Sequence, residues 1–282
     1  MSLEGQHGDP AESPPRETSW GVRRRSGYWW SYRKRSHLGR GSFVASSELI
    51  DGEDSTRPSS DATAWRDALP LQGPTKLRSR DFRWTEVVIV DTGGANLASL
   101  LYALGRFNCR AEVTADGAKI ASAERVLLPG VGAAKHAMRR LHEARLIEVI
   151  QNLTQPVLGI CLGMQLLFQR SAEGPTTCLN LLPYSVQTLT ALPGLPVPHM
   201  GWNQLKPLRD DPLLEGIEDG DYAYFVHSYA APVTEYTLAS SEHGLGISAI
   251  VRTKNFWGTQ FHPERSGLVG ARVLQNFLSL ET

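Results

Sequence analysis

Cys161 stands in Gly159-Ile160-Cys161-Leu162-Gly163, between the apolar run Pro156–Ile160 and a helical pattern. A reactive side chain flanked by two glycines at this spacing fits a nucleophile elbow, where a sharp strand-to-helix turn exposes the nucleophile. The glycines answer a steric need, because such a turn is strained and leaves no room for neighbouring Cβ atoms. Backbone N–H groups and the dipole at the start of the helix favour thiolate over thiol. The N–H of Leu162 is then placed to face a developing oxyanion.

A thiolate nucleophile needs a base, and the base needs an orienting group. Gln260-Phe261-His262-Pro263-Glu264 supplies both after another apolar run. His262 and Glu264 are two residues apart, so in an extended segment both side chains leave the same face. A carboxylate on one imidazole nitrogen leaves the other ready to take a proton. Cys161 and His262 are 101 residues apart, which is no obstacle, since such groups need only meet in space. Pro129-Gly130-Val131-Gly132 closes a third apolar run. Its Gly-rich turn presents backbone N–H groups and is a candidate second oxyanion arm.

The elements that must position these groups alternate. Val87–Val90 reads as a strand, Asn96–Phe107 as a helix, and Glu112–Thr114 and Arg125–Leu128 as strands, the last stopped by Pro129. Ala133–Asn152 reads as two helical pieces, Pro156–Ile160 as a strand, and Leu162 to about Arg170 as an amphipathic helix. This alternation predicts an α/β domain with a central, mostly parallel sheet flanked by helices. Further strands are expected at Tyr184–Thr190, Tyr222–Val226, Tyr236–Ala239, Ala249–Arg252 and Phe256–Gln260, and a closing helix at Val269–Leu280.

Composition bounds the function. Lys plus Arg and Asp plus Glu are 29 each, giving a net charge of zero, which argues against a cationic nucleic-acid binder. No apolar run is long enough for a membrane-spanning helix, and the N-terminus lacks a secretory pattern. Cys109, Cys161 and Cys178 are the three cysteines, a sparse, odd number that suits a reducing cytoplasm. Residues 1–85 differ from the rest: they carry five of the seven tryptophans and many Ser, Gly, Pro and charged residues. They read as a disordered extension. Its basic, aromatic stretch from Trp20 to Arg40 fits either an RNA-contacting or membrane-surface arm, or a tail with no selected role. Neither a nucleic-acid nor a membrane partner is expected.

Gly-Ile-Cys-Leu-Gly-Met-Gln (159–165) together with Gln-Phe-His-Pro-Glu (260–264) resembles the class I glutamine amidotransferases. Four further motifs resemble the glutaminase subunits of imidazole glycerol phosphate synthase within that family. They are Gly-Ala-Asn-Leu (94–97), Pro-Gly-Val-Gly (129–132), Pro-His-Met-Gly-Trp-Asn (198–203) and Tyr-Phe-Val-His-Ser-Tyr (224–229), followed by His-Pro-Glu-Arg-Ser (262–266). The resemblance covers residues 86–282, the expected amidotransferase domain, and implies a flavodoxin-like fold. It implies a catalytic triad of Cys161, His262 and Glu264, with oxyanion donors from Gly130, Val131 and Leu162. It also implies that Gln165, Ser228 and Tyr229 hold the substrate glutamine. The ammonia released would pass to a (β/α)₈-barrel cyclase subunit in a heterodimer, serving histidine biosynthesis. Asn96, Trp202, Asn203, Tyr224 and Arg265 are the implied docking or gating residues. Activation by the partner's ligand is implied too, with Pro129–Val131 as the mobile element. No cofactor and no metal are expected, since nothing resembles a zinc or P-loop signature.

Rival readings are a glutaminase subunit of another synthase, of the pyridoxal phosphate or anthranilate type, a flavodoxin-like cysteine peptidase, and a non-catalytic homologue. The family chain begins about where Thr85 or Glu86 stands, and Met occurs only at 1, 138, 164 and 200. We therefore expect a native start at a non-ATG codon near residue 85.

Overall fold

A computed structural model describes residues 85–93, 97–107 and 109–281. The extension and Asn96 lie outside the described residues. In chain order the elements begin β1 (Thr85–Val90), α1 (Leu97–Gly105), β2 (Cys109–Thr114), α2 (Gly117–Ser122) and β3 (Arg125–Gly130). Next come α3 (Ala134–Glu143), α4 (Ile147–Gln151), β4 (Val157–Cys161), α5 (Leu162–Gln165), β5 (Phe168–Ser171), β6 (Thr176–Thr177) and β7 (Leu182–Thr188). The second half has β8 (His199–Gln204), β9 (Lys206–Pro207), β10 (Tyr222–His227), β11 (Tyr229–Ala230) and β12 (Thr237–Glu242). It closes with β13 (Gly246–Thr253), β14 (Phe256–Thr259) and α6 (Gly267–Ser279).

An eight-stranded sheet in the order β2-β1-β3-β4-β14-β13-β12-β9 forms the centre. Its first five strands are parallel and the remainder antiparallel. A four-stranded sheet (β11-β7-β5-β6) and a β8–β10 ribbon complete the domain. The run Val87-Val88-Ile89-Val90 explains why helices lie on both faces. Val87 and Ile89 join Leu100 and Leu104 of α1 and Val273, Leu274 and Phe277 of α6. Val88 and Val90 join Ile120 of α2, Met138 and Leu141 of α3, and Ile150 of α4. Successive strand side chains point to opposite faces, so a strand buried on both must be apolar throughout. Among the described residues, no helix is long and apolar enough to cross a membrane.

Three local expectations need correction. The helix after Cys161 is a single turn, ending at Gln165, and Phe168–Ser171 is strand β5, paired with β6 and β7. Leu162 through Phe168 are all buried, so this run has no polar face from which a period could be read. Strand β3 runs through Pro129 and Gly130, which pair with Ile160 and Cys161 of β4. Proline is tolerated there because β3 pairs with β1 only as far as Leu127, so no ladder bond is asked of the missing N–H. His262–Glu264 is not extended: Pro263–Arg265 form a 3₁₀ turn, which Pro263 opens with a preset φ.

Candidate active site

Cys161 ends β4 with φ +54° and ψ −109°, a conformation that costs about 1–3 kcal/mol for a residue bearing a Cβ. Close packing enforces it. A Cβ on Gly159 would lie 2.7 Å from the Gly163 carbonyl oxygen, and one on Gly163 would overlap the Leu128 carbonyl oxygen. The thiol sits 3.9 Å from the Val226 carbonyl and 3.9 Å from Gln260 Nε2.

A cavity of about 380 Å³ opens over this thiol and brings Val131, Leu162, Gln165, Ser228, Tyr229 and His262 to its walls. Gly130 stands just behind, paired with Cys161 across the sheet and packed on Leu162 and Gly163. The Ser228 carbonyl is taken by Leu189 N at 2.9 Å, and the Tyr229 carbonyl by Gln165 Nε2 at 2.8 Å. The other Gln165 N–H goes to Gln260 Oε1 at 3.0 Å. Both Gln165 donors are thus committed, which leaves its Oε1 as the end available to the cavity.

His262 is pinned from three sides. Its N–H donates to the Tyr224 carbonyl at 3.1 Å, its carbonyl accepts from Ser266 Oγ at 2.7 Å, and its Nδ1 lies 2.8 Å from Glu264 Oε1. Although the turn is not extended, the Glu264 carboxylate reaches back to the ring. Its Oε2 is buried with no hydrogen-bond partner among the described residues. Burial alone would lower the His262 pKa. Hydrogen bonding and Coulomb attraction from Cys161 and Glu264 outweigh it and raise the group well above its ordinary value, favouring the imidazolium. Burial instead raises Cys109 and pushes Cys178 up to about 11, so both are inert thiols at neutral pH.

The docking candidates separate. Trp202 is exposed on β8 and meets Tyr224 of β10 edge-on, with ring centroids 5.9 Å apart, while Arg265 lies 5.0 Å over the Tyr224 ring. Met200 and Tyr222 extend this exposed apolar face, the kind of surface that marks an interaction site. Asn203 faces the other way, with Nδ2 donating to the Glu242 carbonyl at 2.7 Å.

Sequence reasoning gave no role to three residues placed here. Gln260 is fully buried and joins Gln165 to Cys161; its place beside Phe261 and His262 was the available signal. Glu173 lines the cavity and caps α3 through the Ala134 N–H at 2.7 Å, and nothing in its spacing marks it. His227 lines the cavity as well.

The family described as glutamine amidotransferase class-I matches residues 88–280. A protein of Xanthomonas campestris pv. campestris named imidazole glycerol phosphate synthase subunit HisH is 53% identical over 196 residues, covering 70% of this chain and 98% of that protein. The subunit of the same name from Xylella fastidiosa is 51% identical over 197 residues, again covering 70% and 98%. A solved structure titled PurLQS, from Thermotoga maritima, superposes with a TM-score of 0.53 at 19% identity, covering 70% of this chain and 98% of that one. At that identity the likeness is one of fold.

Proposed function

The chain belongs to the class I glutamine amidotransferases and, within them, to the HisH subunits of imidazole glycerol phosphate synthase, and we propose that it hydrolyses glutamine to supply ammonia to a synthase partner. The observation that carries this reading is the strained Cys161 sharing one cavity with an imidazole whose far nitrogen is 2.8 Å from a buried carboxylate. We take 86–282 as the working domain, in keeping with the family match at 88–280.

His262 takes the Cys161 proton, and the thiolate attacks the glutamine side-chain amide carbon. Backbone N–H groups of Leu162 and of the Gly130–Val131 turn stabilise the tetrahedral oxyanion. The C–N bond then breaks, ammonia leaves with the proton from His262, and a γ-glutamyl thioester remains on Cys161. Water, deprotonated by His262, hydrolyses the thioester to glutamate and the free thiol. Glu264 holds the ring in one tautomer and stabilises its cation. Gln165 Oε1, the Ser228–Tyr229 segment and the Glu173 carboxylate hold the substrate, the two acceptors facing its α-ammonium group.

The ammonia goes to a (β/α)₈-barrel cyclase subunit, which makes imidazole glycerol phosphate and aminoimidazole carboxamide ribotide. That partner docks on the exposed face of Trp202, Tyr224 and Arg265, which Asn203 supports from within. Free thiols throughout the described residues support a cytoplasmic setting.

The test is glutamate release from glutamine, with and without a cyclase subunit and its nucleotide ligand, with Cys161→Ala as the blank. Turnover that appears with partner and ligand and vanishes in the blank is expected. Cys161-dependent turnover indifferent to the cyclase would move the chain to another synthase, and no turnover would defeat the reading.

A pH dependence follows from the triad. His262 must be cationic to protonate the leaving ammonia, and its raised pKa means that this charge is lost only as the pH rises through that raised value. Glu264→Gln removes one of the groups that raise it. The alkaline limb of kcat/KM, measured on the assembled synthase, should move to lower pH. An unmoved alkaline limb would separate Glu264 from the base.

A further inference from the structure

We propose that His199 and His227 are positioning residues of the active site, a two-histidine relay of fixed tautomer running from Asn203 on β8 to the Tyr229 carbonyl. The proposal rests on the reading of Gln165 as a substrate-holding residue.

His199 and His227 are register partners across the β8–β10 ribbon. His199 Nδ1 lies 2.9 Å from His227 Nε2, His227 Nδ1 lies 2.8 Å from the Tyr229 carbonyl oxygen, and Asn203 Nδ2 lies 3.1 Å from His199 Nε2. The polarity of this chain is set independently at each end. At the inner end a carbonyl can only accept, so His227 carries its hydrogen on Nδ1. Its Nε2 must then accept from His199 Nδ1–H, and His199 Nε2 must accept in turn.

At the outer end Asn203 Oδ1 accepts from the Gln204 N–H at 2.8 Å, while Nδ2 donates to the Glu242 carbonyl at 2.7 Å. That fixes the amide so that Nδ2 also faces His199. Both ends therefore demand the same arrangement: two neutral rings, each protonated on Nδ1. A proton added to either ring would set two donors against each other along the chain. His243, stacked on His199 at 4.2 Å between centroids, is held apart from the relay by its Nε2 contact with the Pro196 carbonyl at 3.0 Å.

The relay ends where it matters for substrate. The Tyr229 carbonyl accepts from His227 on one side and from Gln165 on the other. Gln165 passes the order on to Gln260, whose Nε2 faces the Cys161 sulfur. Buried between Phe225 and His243, His199 touches no part of the cavity, so its effect on substrate must run through His227 and Tyr229.

Two measurements on the full chain test this. Long-range nitrogen–proton NMR of the wild-type protein should find both histidines in the Nδ1–H form at neutral pH. An Nε2–H form or a cation at either position would overturn the proposal, whatever the activity. In the glutamine assay, His227→Gln, whose amide reaches toward the Nε2 position, should raise KM about tenfold with kcat little changed. His227→Asn, which keeps a donor at the Nδ1 position, should recover most of that loss. Equal KM values for the two variants, whether raised or normal, would reduce the histidines to packing. Absence of Cys161-dependent turnover in the wild type would defeat the glutaminase reading instead, and the NMR result would still decide the relay.

Discussion

Cys161→Ala is expected to lower glutamine hydrolysis by at least about 10⁴-fold while leaving the fold in place. Apart from the His262 imidazole, the sulfur's polar neighbours Val226 O and Gln260 Nε2 both lie 3.9 Å away. Its loss therefore removes a nucleophile without opening a tightly packed site. The backbone sharpens the prediction. At φ +54° any residue with a Cβ is strained, so Cys161→Gly should be more stable than Cys161→Ala by about 1 kcal/mol. Both variants should be equally inactive. Strain retained at a position where glycine would relieve it is what a functional constraint on the side chain looks like. Urea unfolding of the two variants beside the glutamate assay checks both halves. Residual turnover within tenfold of wild type in Cys161→Ala would remove the thiol from the chemistry.

What the sequence revealed depended on whether a residue type had a single physical use. The elbow was legible because Gly159 and Gly163 meet a steric demand that only glycine satisfies, and the packed distances bear this out. Strand β1 was legible because a strand covered on both faces must be apolar at every position. The same logic failed one element later. Leu162–Phe168 is buried throughout and apolar but for Gln165, and there a single helical turn followed by a strand looks like a longer helix. Strand β8 was missed for the opposite reason. Its inward residues include His199 and Asn203 and its outward ones Met200 and Trp202, so the expected alternation is inverted.

The site divides in the same way. His262 and Glu264 are two residues apart, so their partnership could be read locally even though the turn between them is not extended. The histidine relay could not, because His199 and His227 meet only through an antiparallel register that joins distant positions. Glu173 reaches the cavity from beyond β5, whose course depends on the sheet it enters. Spacing in sequence holds no record of either.

Gly163→Ala should remove a large share of the stability and abolish activity, and it tests the elbow where no chemistry intervenes. A Cβ here would coincide with the Leu128 carbonyl oxygen and reach the Leu128 carbonyl carbon at 2.7 Å. Leu128 belongs to β3, whose pairing with β4 sets Gly130 beside Cys161. Neither side can yield: β3 is a central strand buried along its whole length, and α5 is tied to β4 by the turn that carries the nucleophile. We expect a loss of more than about 4 kcal/mol, a large share of the roughly 5–15 kcal/mol that holds a domain folded. Gly105→Ala is the matched control. That position closes α1 with nothing within 4 Å of an added Cβ and no positive φ, so alanine there should gain about 0.5 kcal/mol by restricting the unfolded chain. Urea midpoints for the pair should move in opposite directions. A Gly163→Ala protein within about 1 kcal/mol of wild type would mean that the elbow is looser than its packing requires, and the strain at Cys161 would need another source.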